Sequence, residues 1–494
     1  MKQPIYRASV RLAASAIATG IALATAGCAV GPDYVAPKSD LAPFKALDAV
    51  RTRVTTAPAP ALDTWWQGFD DAMLTTVIKR ALAQNLDLAA AVARVEQARA
   101  EALGSRAALF PSLDVDAAAT TERQSLESPQ GQLGKAAPGY SRRQREYTVG
   151  AAASWEIDLF GGTRRGLNAA LDDLQAASAD HVAARITVAG DAADAYLQVR
   201  GHQARFAVAQ DQIDTDAKLL KLVEARYRLG QADGREVAQA QALLRQARAS
   251  LPALRIGLQV QLNRLDVLMG AQPGTYAQEL SAPGAVPAIP AIAVGDSPTD
   301  LLRRRPDIIA AERRLAASNE RIGQAIADYY PKLSLSGVLG FDSSSTRRLF
   351  RSSAFQPIGT GAVTWRLFDF GRVDAEIESA KGANSEALAL YRRTVLVAAQ
   401  DVEDALISLT ETEVHVSEVQ EEVDALERAR DLADKAYKAG AITLTDVLDA
   451  NRQLLVARDE LNATRTDAAR AAVRTFRAFG GGWTPSKTLT SEVN

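Results

Sequence analysis

The sequence predicts an α+β fold of two tandem repeats, each with a leading helix, two β-strands and a pair of long α-helices. Three observations support this fold. One pattern of residues occurs twice at a nearly constant offset, four segments alternate apolar and polar residues, and two very long stretches contain no proline.

The repeat is visible by direct comparison of the chain with itself. Residues 87–116 align without gaps on residues 307–336, and Tyr227-Arg-Leu-Gly230 aligns on Tyr437-Lys-Ala-Gly440. The offset changes within a polar loop between the two strand segments. We therefore predict repeat 1 at residues 65–270 and repeat 2 at residues 301–480, separated by an irregular, proline-rich connector at 271–300 and followed by a C-terminal tail at 481–494.

Four segments alternate with the period of two that is typical of β-strands. The predicted strands are residues 110–122 and 145–158 in repeat 1, and 331–342 and 355–367 in repeat 2. The alternation fits a soluble sheet as well as an outer-membrane barrel, in which one face contacts lipid and the other lines the lumen. The strands alone leave both structures open.

The proline-free stretches predict very long helices at residues 163–229 and 372–439. A shorter helix follows each of them, at 234–269, which contains Pro252, and at 443–479. The longer helix of each pair would extend about 100 Å, which no globular core requires. Val395 begins a heptad pattern that predicts a coiled-coil seam. An ordinary long buried helix is the alternative. The apolar positions of the pattern are Val395, Val402, Leu409, Val416 and Val423.

The N-terminus has the features of a secretory signal peptide at residues 1–27, because basic residues precede an apolar stretch that ends at Cys28. Cys28 is the only cysteine, and Thr25-Ala-Gly-Cys28 resembles the lipobox of bacterial lipoproteins. The resemblance implies an N-acyl diacylglyceryl lipid on Cys28, followed by an extended segment at 28–64. The residue after Cys28 is Ala29 and not the aspartate that favours retention of lipoproteins in the inner membrane, which points to the outer membrane. A plain cleavage site is the alternative.

Several function classes find no support in the sequence. The 57 basic and 59 acidic residues nearly cancel, which argues against a nucleic-acid partner. His181, His202 and His415 are scattered and predict no metal site. The common nucleotide-binding and hydrolase motifs are missing, so we expect no enzyme and no cofactor beyond the lipid.

Six short segments, taken together, are specific, although each alone is weak. They are Cys28-Ala-Val-Gly-Pro-Asp-Tyr34 with Pro37, Trp65-Trp66 with Phe69 and Leu74, Asn85-Leu-Asp87, Arg304-Arg-Pro-Asp307, Tyr330-Pro-Lys-Leu333 and Gly480-Gly-Gly-Trp483. In this order they resemble the outer membrane factor family, and more narrowly its lipoprotein branch, the TolC-like and NodT-like efflux components. The resemblance covers essentially the whole mature chain.

The resemblance implies a membrane channel. Four strands per chain are too few to close a barrel with a lumen, whereas a homotrimer supplies 12 strands for an outer-membrane β-barrel, continued by a periplasmic helical coiled-coil barrel. The implied partners are outer-membrane lipid, a periplasmic adaptor and an inner-membrane transporter of a tripartite efflux pump. The alternative function is a periplasmic scaffold or adhesin lipoprotein without a conducting pore.

The same resemblance implies a gate where the helix pairs turn, at Gly230 and Gly440. Tyr437, Asp446 and Asp449 match the family pattern there, and the two carboxylates share one helix face. Alternatively, the two carboxylates lie on a solvated helix face or cap the helix.

One position at these turns departs from the family. Well-known members have an arginine five residues after the tyrosine, where this chain has Ile442. The opposing turn carries Arg235 and Glu236, so our hypothesis is that Arg235 pairs with Asp446 or bonds Tyr437 instead.

Overall fold

The computed structural model describes residues 29–37, 42–46, 59–292 and 302–484. The predicted signal peptide and Cys28 lie outside the described residues.

The described chain contains four strands, nine α-helices and three short 3₁₀ helices, the longest of them at Leu62–Phe69. Repeat 1 contains α1 (Ala72–Gln84), α2 (Leu86–Ala107), β1 (Ser112–Arg123), α3 (Pro129–Lys135), β2 (Arg143–Ile157), α4 (Gly162–Arg228) and α5 (Gly234–Leu268). The short α6 (Ala277–Leu280) follows. Repeat 2 contains α7 (Pro306–Ala327), β3 (Lys332–Ser343), β4 (Phe355–Thr364), α8 (Arg372–Lys438) and α9 (Leu444–Ala478).

The two repeats match in the lengths of their three longest helices. Helices α4 and α8 each have 67 residues, α5 and α9 each have 35, and α2 and α7 each have 22. A helix of 67 residues is about 100 Å long.

Several local features differ from the sequence-based expectation. Repeat 1 begins with two α-helices, α1 and α2, instead of one, and the short α6 forms within the predicted irregular connector. Helix α3 forms inside the predicted polar loop, where the Ser128 hydroxyl accepts a hydrogen bond from the Gly131 N–H and Pro129 occupies the first turn. Strand β4 ends at Thr364 rather than at residue 367. Its last partner is Lys332, and the preceding Pro331 has no N–H with which to continue the ladder.

The sheet has the order β1-β2-β3-β4, and every neighbouring pair is antiparallel. The register is continuous across the sheet. Val149 in the middle of β2, for example, lies opposite Ala117 of β1 and Phe341 of β3.

The chain divides into two compact units, each with segments from both repeats. Unit 1 contains residues up to 36, 96–174 and 313–389, and unit 2 contains the rest. The repeats are therefore not separate compact domains.

The N-terminal segment is held within unit 1. The Val30 N–H donates to the Phe160 carbonyl at 3.1 Å. The buried guanidinium of Arg165 pairs with Glu320 at 3.0 Å and with Asp33 at 3.1 Å. Because a buried charge is costly unless it is paired, this cluster fixes the segment against the helices of unit 1.

Unit 2 contains a large apolar core. Residues of two motifs found in the sequence stabilise this unit. The Trp65 ring stacks on Phe476 at a centroid distance of 5.3 Å. The buried Arg305 pairs with Asp307 at 2.7 Å and with Asp401 at 2.9 Å, which joins the start of α7 to α8.

The predicted heptad positions of α8 are mostly buried within the single chain. Val402 and Leu409 are fully buried, and Val423 packs with Leu454 and Leu461 of α9. No helix in the described part of the chain is both long and apolar enough to cross a membrane.

Candidate functional site

The sheet has one apolar face and one largely polar face. The register brings the alternating apolar residues of all four strands to the same side. This apolar face consists of Leu113, Val115, Ala117, Ala119, Tyr147, Val149, Ala151, Ala153, Trp155, Ile157, Leu333, Leu335, Gly337, Leu339, Phe341, Phe355, Pro357, Gly359, Gly361 and Val363.

Much of the apolar face is open in the single chain. Val115 is 76% exposed, Leu113 70% and Val363 68%. Charged and hydroxyl side chains such as Asp114, Asp116, Thr148, Glu156, Ser334, Ser336 and Asp342 alternate onto the opposite face. An exposed apolar patch this continuous requires an apolar medium or partner.

Aromatic side chains mark both ends of the sheet. At the end adjoining the long helices, the indole N–H groups of Trp155 and Trp365 donate to the carbonyls of Leu109 and Tyr329, both at 2.9 Å. These two bonds occupy equivalent positions in the two repeats. At the loop end, Phe341 contacts Phe350 and Phe355, each with ring centroids 5.5 Å away. Two aromatic bands flanking an apolar strip are typical of a strand region that spans a bilayer.

The helix hairpins turn at the two glycines named from the sequence. Gly230 and Gly440 have φ values of +70° and +77°, a region that favours glycine. In both turns the next residue donates back into the last helical turn, Gln231 to Arg226 at 2.8 Å and Ala441 to Ala436 at 2.9 Å. Each hairpin therefore ends in the same glycine cap.

The two aspartates predicted at the aperture lie at the start of α9, and both are exposed. Asp446 accepts from the Thr443 N–H at 2.9 Å and from its hydroxyl at 2.7 Å, so it also caps the helix. Donation by the Thr443 hydroxyl, and then by the backbone N–H, holds the pKa of Asp446 below its usual range. Asp449 pairs with Arg452 of the same helix at 3.1 Å.

The arginine that was predicted to contact Asp446 or Tyr437 has a different partner within the single chain. Arg235 is exposed and pairs with Asp233 at 3.7 Å, and neither Asp446 nor Tyr437 is its partner among the described residues. Glu236 donates its backbone N–H to the Asp233 side chain at 2.9 Å.

Sequence reasoning missed a different arginine at the hairpin ends. The Arg226 guanidinium lies 4.7 Å from the ring centroid of Tyr437, which is buried among Val223, Leu444 and Val447. The Tyr437 hydroxyl has no hydrogen-bond partner in the described structure. Ile442, at the position of the family arginine, packs against the same cluster. The cation over the tyrosine therefore comes from α4.

The two halves of the chain both match one family model. The model described as "Outer membrane efflux protein" matches residues 77–271 and 298–481. The chain belongs to this family. The chain is similar to the pyoverdine export outer membrane protein OpmQ of Pseudomonas aeruginosa, with 34% identity over 419 residues, which are 85% of this chain and 87% of OpmQ. It is also similar to the solvent efflux pump outer membrane protein SrpC of Pseudomonas putida, with 29% identity over 469 residues, 93% of this chain and 97% of SrpC.

The fold agrees with a solved structure of the outer-membrane channel OprN. The TM-score is 0.83 at 31% sequence identity, over 92% of this chain and all of the OprN chain. This efflux protein therefore has the predicted fold class, and its place in the outer membrane and its role as an efflux channel are confirmed. The alternative of a scaffold or adhesin without a pore finds no support among these relatives.

Proposed function

We propose that this efflux protein is the exit duct of a tripartite pump and works as a homotrimer. The observation that carries the proposal is a sheet with an exposed apolar face, a polar face, and two edge strands, β1 and β4, that have no outer partner among the described residues. Four strands do not enclose a lumen, whereas 12 strands from three chains form a barrel wide enough for small solutes. Edge pairing between chains also removes the open edges.

In the proposed pump, the long helices continue the duct into the periplasm and meet an adaptor and an inner-membrane transporter. The name of SrpC, an outer membrane protein of a solvent efflux pump, supports this assembly. OpmQ is a pyoverdine export protein and SrpC belongs to a solvent efflux pump, so we infer that the duct admits small toxic compounds and leaves selection to its partners. Conduction of this kind needs no catalytic residue, and we infer that the chain is not an enzyme.

Planar-bilayer conductance of the purified full-length protein tests the duct. We expect stable pores from an assembly with the mass of three chains. A folded protein that stays a monomer in mild detergent and adds no conductance would contradict the proposal.

We further propose that Cys28 carries an N-acyl diacylglyceryl lipid, which supports the anchoring of the duct in the outer membrane. The lipobox supports it, although Cys28 itself lies outside the described residues. We expect wild-type cells to incorporate labelled palmitate into the protein and Cys28→Ser to lose the label. Because the strands anchor the protein as well, part of the Cys28→Ser protein should still insert. Wild-type protein without label would rule out the lipid.

The helix hairpins, we propose, form the gate. Three copies each of Asp446 and Asp449 would form an acidic ring at the periplasmic aperture. Arg226 would hold the two hairpins of one chain together through Tyr437, and Arg235 would pair with Asp446 of a neighbouring chain. The exposed Arg235–Asp233 pair is weak enough to be exchanged for such a contact.

A further inference from the structure

Three arginines extend the apolar face of the sheet at its loop end. Arg123, Arg143 and Arg145 have the same strand parity as Tyr147 and Val149, so they belong to that face. Arg123 and Arg143 lie directly opposite each other in the β1–β2 register, and Arg145 lies opposite Thr121. All three arginines are exposed.

This arrangement concentrates positive charge that no described residue compensates by an ion pair. Like charges directly opposite on neighbouring strands destabilise a sheet. None of the three arginines forms an ion pair with any of the residues that the structure describes. The nearest acidic residues of the strands, Glu122 and Glu146, have the opposite parity and belong to the polar face.

Aromatic rings lie next to the arginines on the same face. Tyr147 follows Arg145 by two residues, and the cluster of Phe341, Phe350 and Phe355 lies at the same end of β3 and β4. The loop between β3 and β4 adds Arg347, Arg348 and Arg351, all exposed. Aromatic rings with cations just beyond them match a bilayer boundary, where acyl chains give way to headgroups.

We propose that Arg123, Arg143 and Arg145 bind the phosphate groups of a phosphorylated lipid headgroup in the outer leaflet of the membrane. The inference rests on the proposed function, which places the apolar face in lipid and the loop end outside the cell. Guanidinium groups bind phosphate oxygens in a bidentate manner, and a bridging phosphate relieves the repulsion between Arg123 and Arg143.

The lipid is favoured over an exported anion as the source of the phosphate. A solute in the lumen would meet the polar face, where Glu122, Glu146 and Asp342 lie and would repel it. The three arginines are on the other face, next to the apolar strip. The acidic residues of the polar face therefore disfavour an anion in the lumen, whereas the arginines of the apolar face favour an anionic lipid outside the barrel.

The test uses the purified full-length protein in neutral detergent and measures binding of diphosphorylated lipid A by native mass spectrometry. Matched probes are the dephosphorylated lipid and inorganic phosphate. We expect the triple variant Arg123→Gln, Arg143→Gln, Arg145→Gln to bind the diphosphorylated lipid at least tenfold more weakly. The control variant Arg94→Gln, Arg245→Gln, Arg248→Gln loses the same charge from exposed positions of α2 and α5 and should bind like wild type.

Several outcomes would overturn the proposal: equal affinity of the triple variant and wild type, equal binding of the dephosphorylated lipid, or displacement of the lipid by inorganic phosphate at the same concentration. Conductance of the triple variant in phosphatidylcholine bilayers shows whether it folds, and should equal that of wild type. If wild type itself forms no pores, the proposed function fails. If wild type and the triple variant both conduct and bind lipid equally, only the lipid site fails.

Discussion

Val149→Lys is expected to destabilise the folded protein in lipid by about 2 to 4 kcal/mol, because it places a charge on the apolar face near the bilayer midplane. Val149 is central in β2, which extends from Arg143 to Ile157, and its neighbours across the sheet are Ala117 and Phe341. None of these neighbours offers a counter-charge. Urea titration of the protein folded in lipid vesicles measures the change in unfolding free energy.

Thr148→Lys is the matched control, since it adds the same charge one residue away on the polar face. A lysine there lies opposite Asp342 and in the proposed lumen. It should cost less than about 1 kcal/mol, because the charge stays hydrated and gains an acidic neighbour. Equal destabilisation by the two substitutions would show that the faces are not in different media.

Arg226→Ala is expected to open the resting duct. The contact of its guanidinium with the Tyr437 ring joins α4 to α8, and a cation–π contact of this kind contributes about 1 to 2 kcal/mol. Losing it should raise the resting open probability about five- to thirtyfold. Single-channel recordings at low voltage measure this probability directly.

The structure supplies a control for the Arg226 contact. Tyr437→Phe keeps the ring and removes only a hydroxyl that has no hydrogen-bond partner among the described residues, so its open probability should stay at the wild-type value. Tyr437→Ala should behave like Arg226→Ala. A large effect of Tyr437→Phe would instead show that the hydroxyl bonds another chain.

The same recordings test the remaining gate residues. Asp446→Asn with Asp449→Asn should weaken block by trivalent cations added from the periplasmic side, because the acidic ring loses its charge. Asparagine at 446 keeps an acceptor for the Thr443 N–H. An open probability unchanged in Arg235→Ala but raised in Tyr437→Ala would exclude Arg235 as the closing cation.

The sequence was most informative where local rules and the repeat agreed. Alternation on β2 fixed which residues share a face, and the missing prolines fixed where the 67-residue helices could form. Gly230 and Gly440 are the residue type that best suits the positive φ at both turns. Helix α3 was missed because only the Ser128-Pro129 start signal marks it within a polar stretch.

Contacts between distant segments could not be derived in the same way. Arg226 aligns with Ala436 in the other repeat, so self-comparison gave no sign that it lies over Tyr437. Arg165 and Glu320 are 155 residues apart, and only the folded unit brings them together.

Thiol modification during single-channel recording tests the two-faced sheet most directly. Thr148→Cys and Val149→Cys place a thiol on the polar and on the apolar face in turn, and wild type, with Cys28 as its only cysteine, is the control. A water-soluble, positively charged thiol reagent should reduce the current through Thr148→Cys pores and leave Val149→Cys pores and wild type unchanged. Reduction of the current through Val149→Cys, with none through Thr148→Cys, would contradict the assignment of the polar face to the lumen.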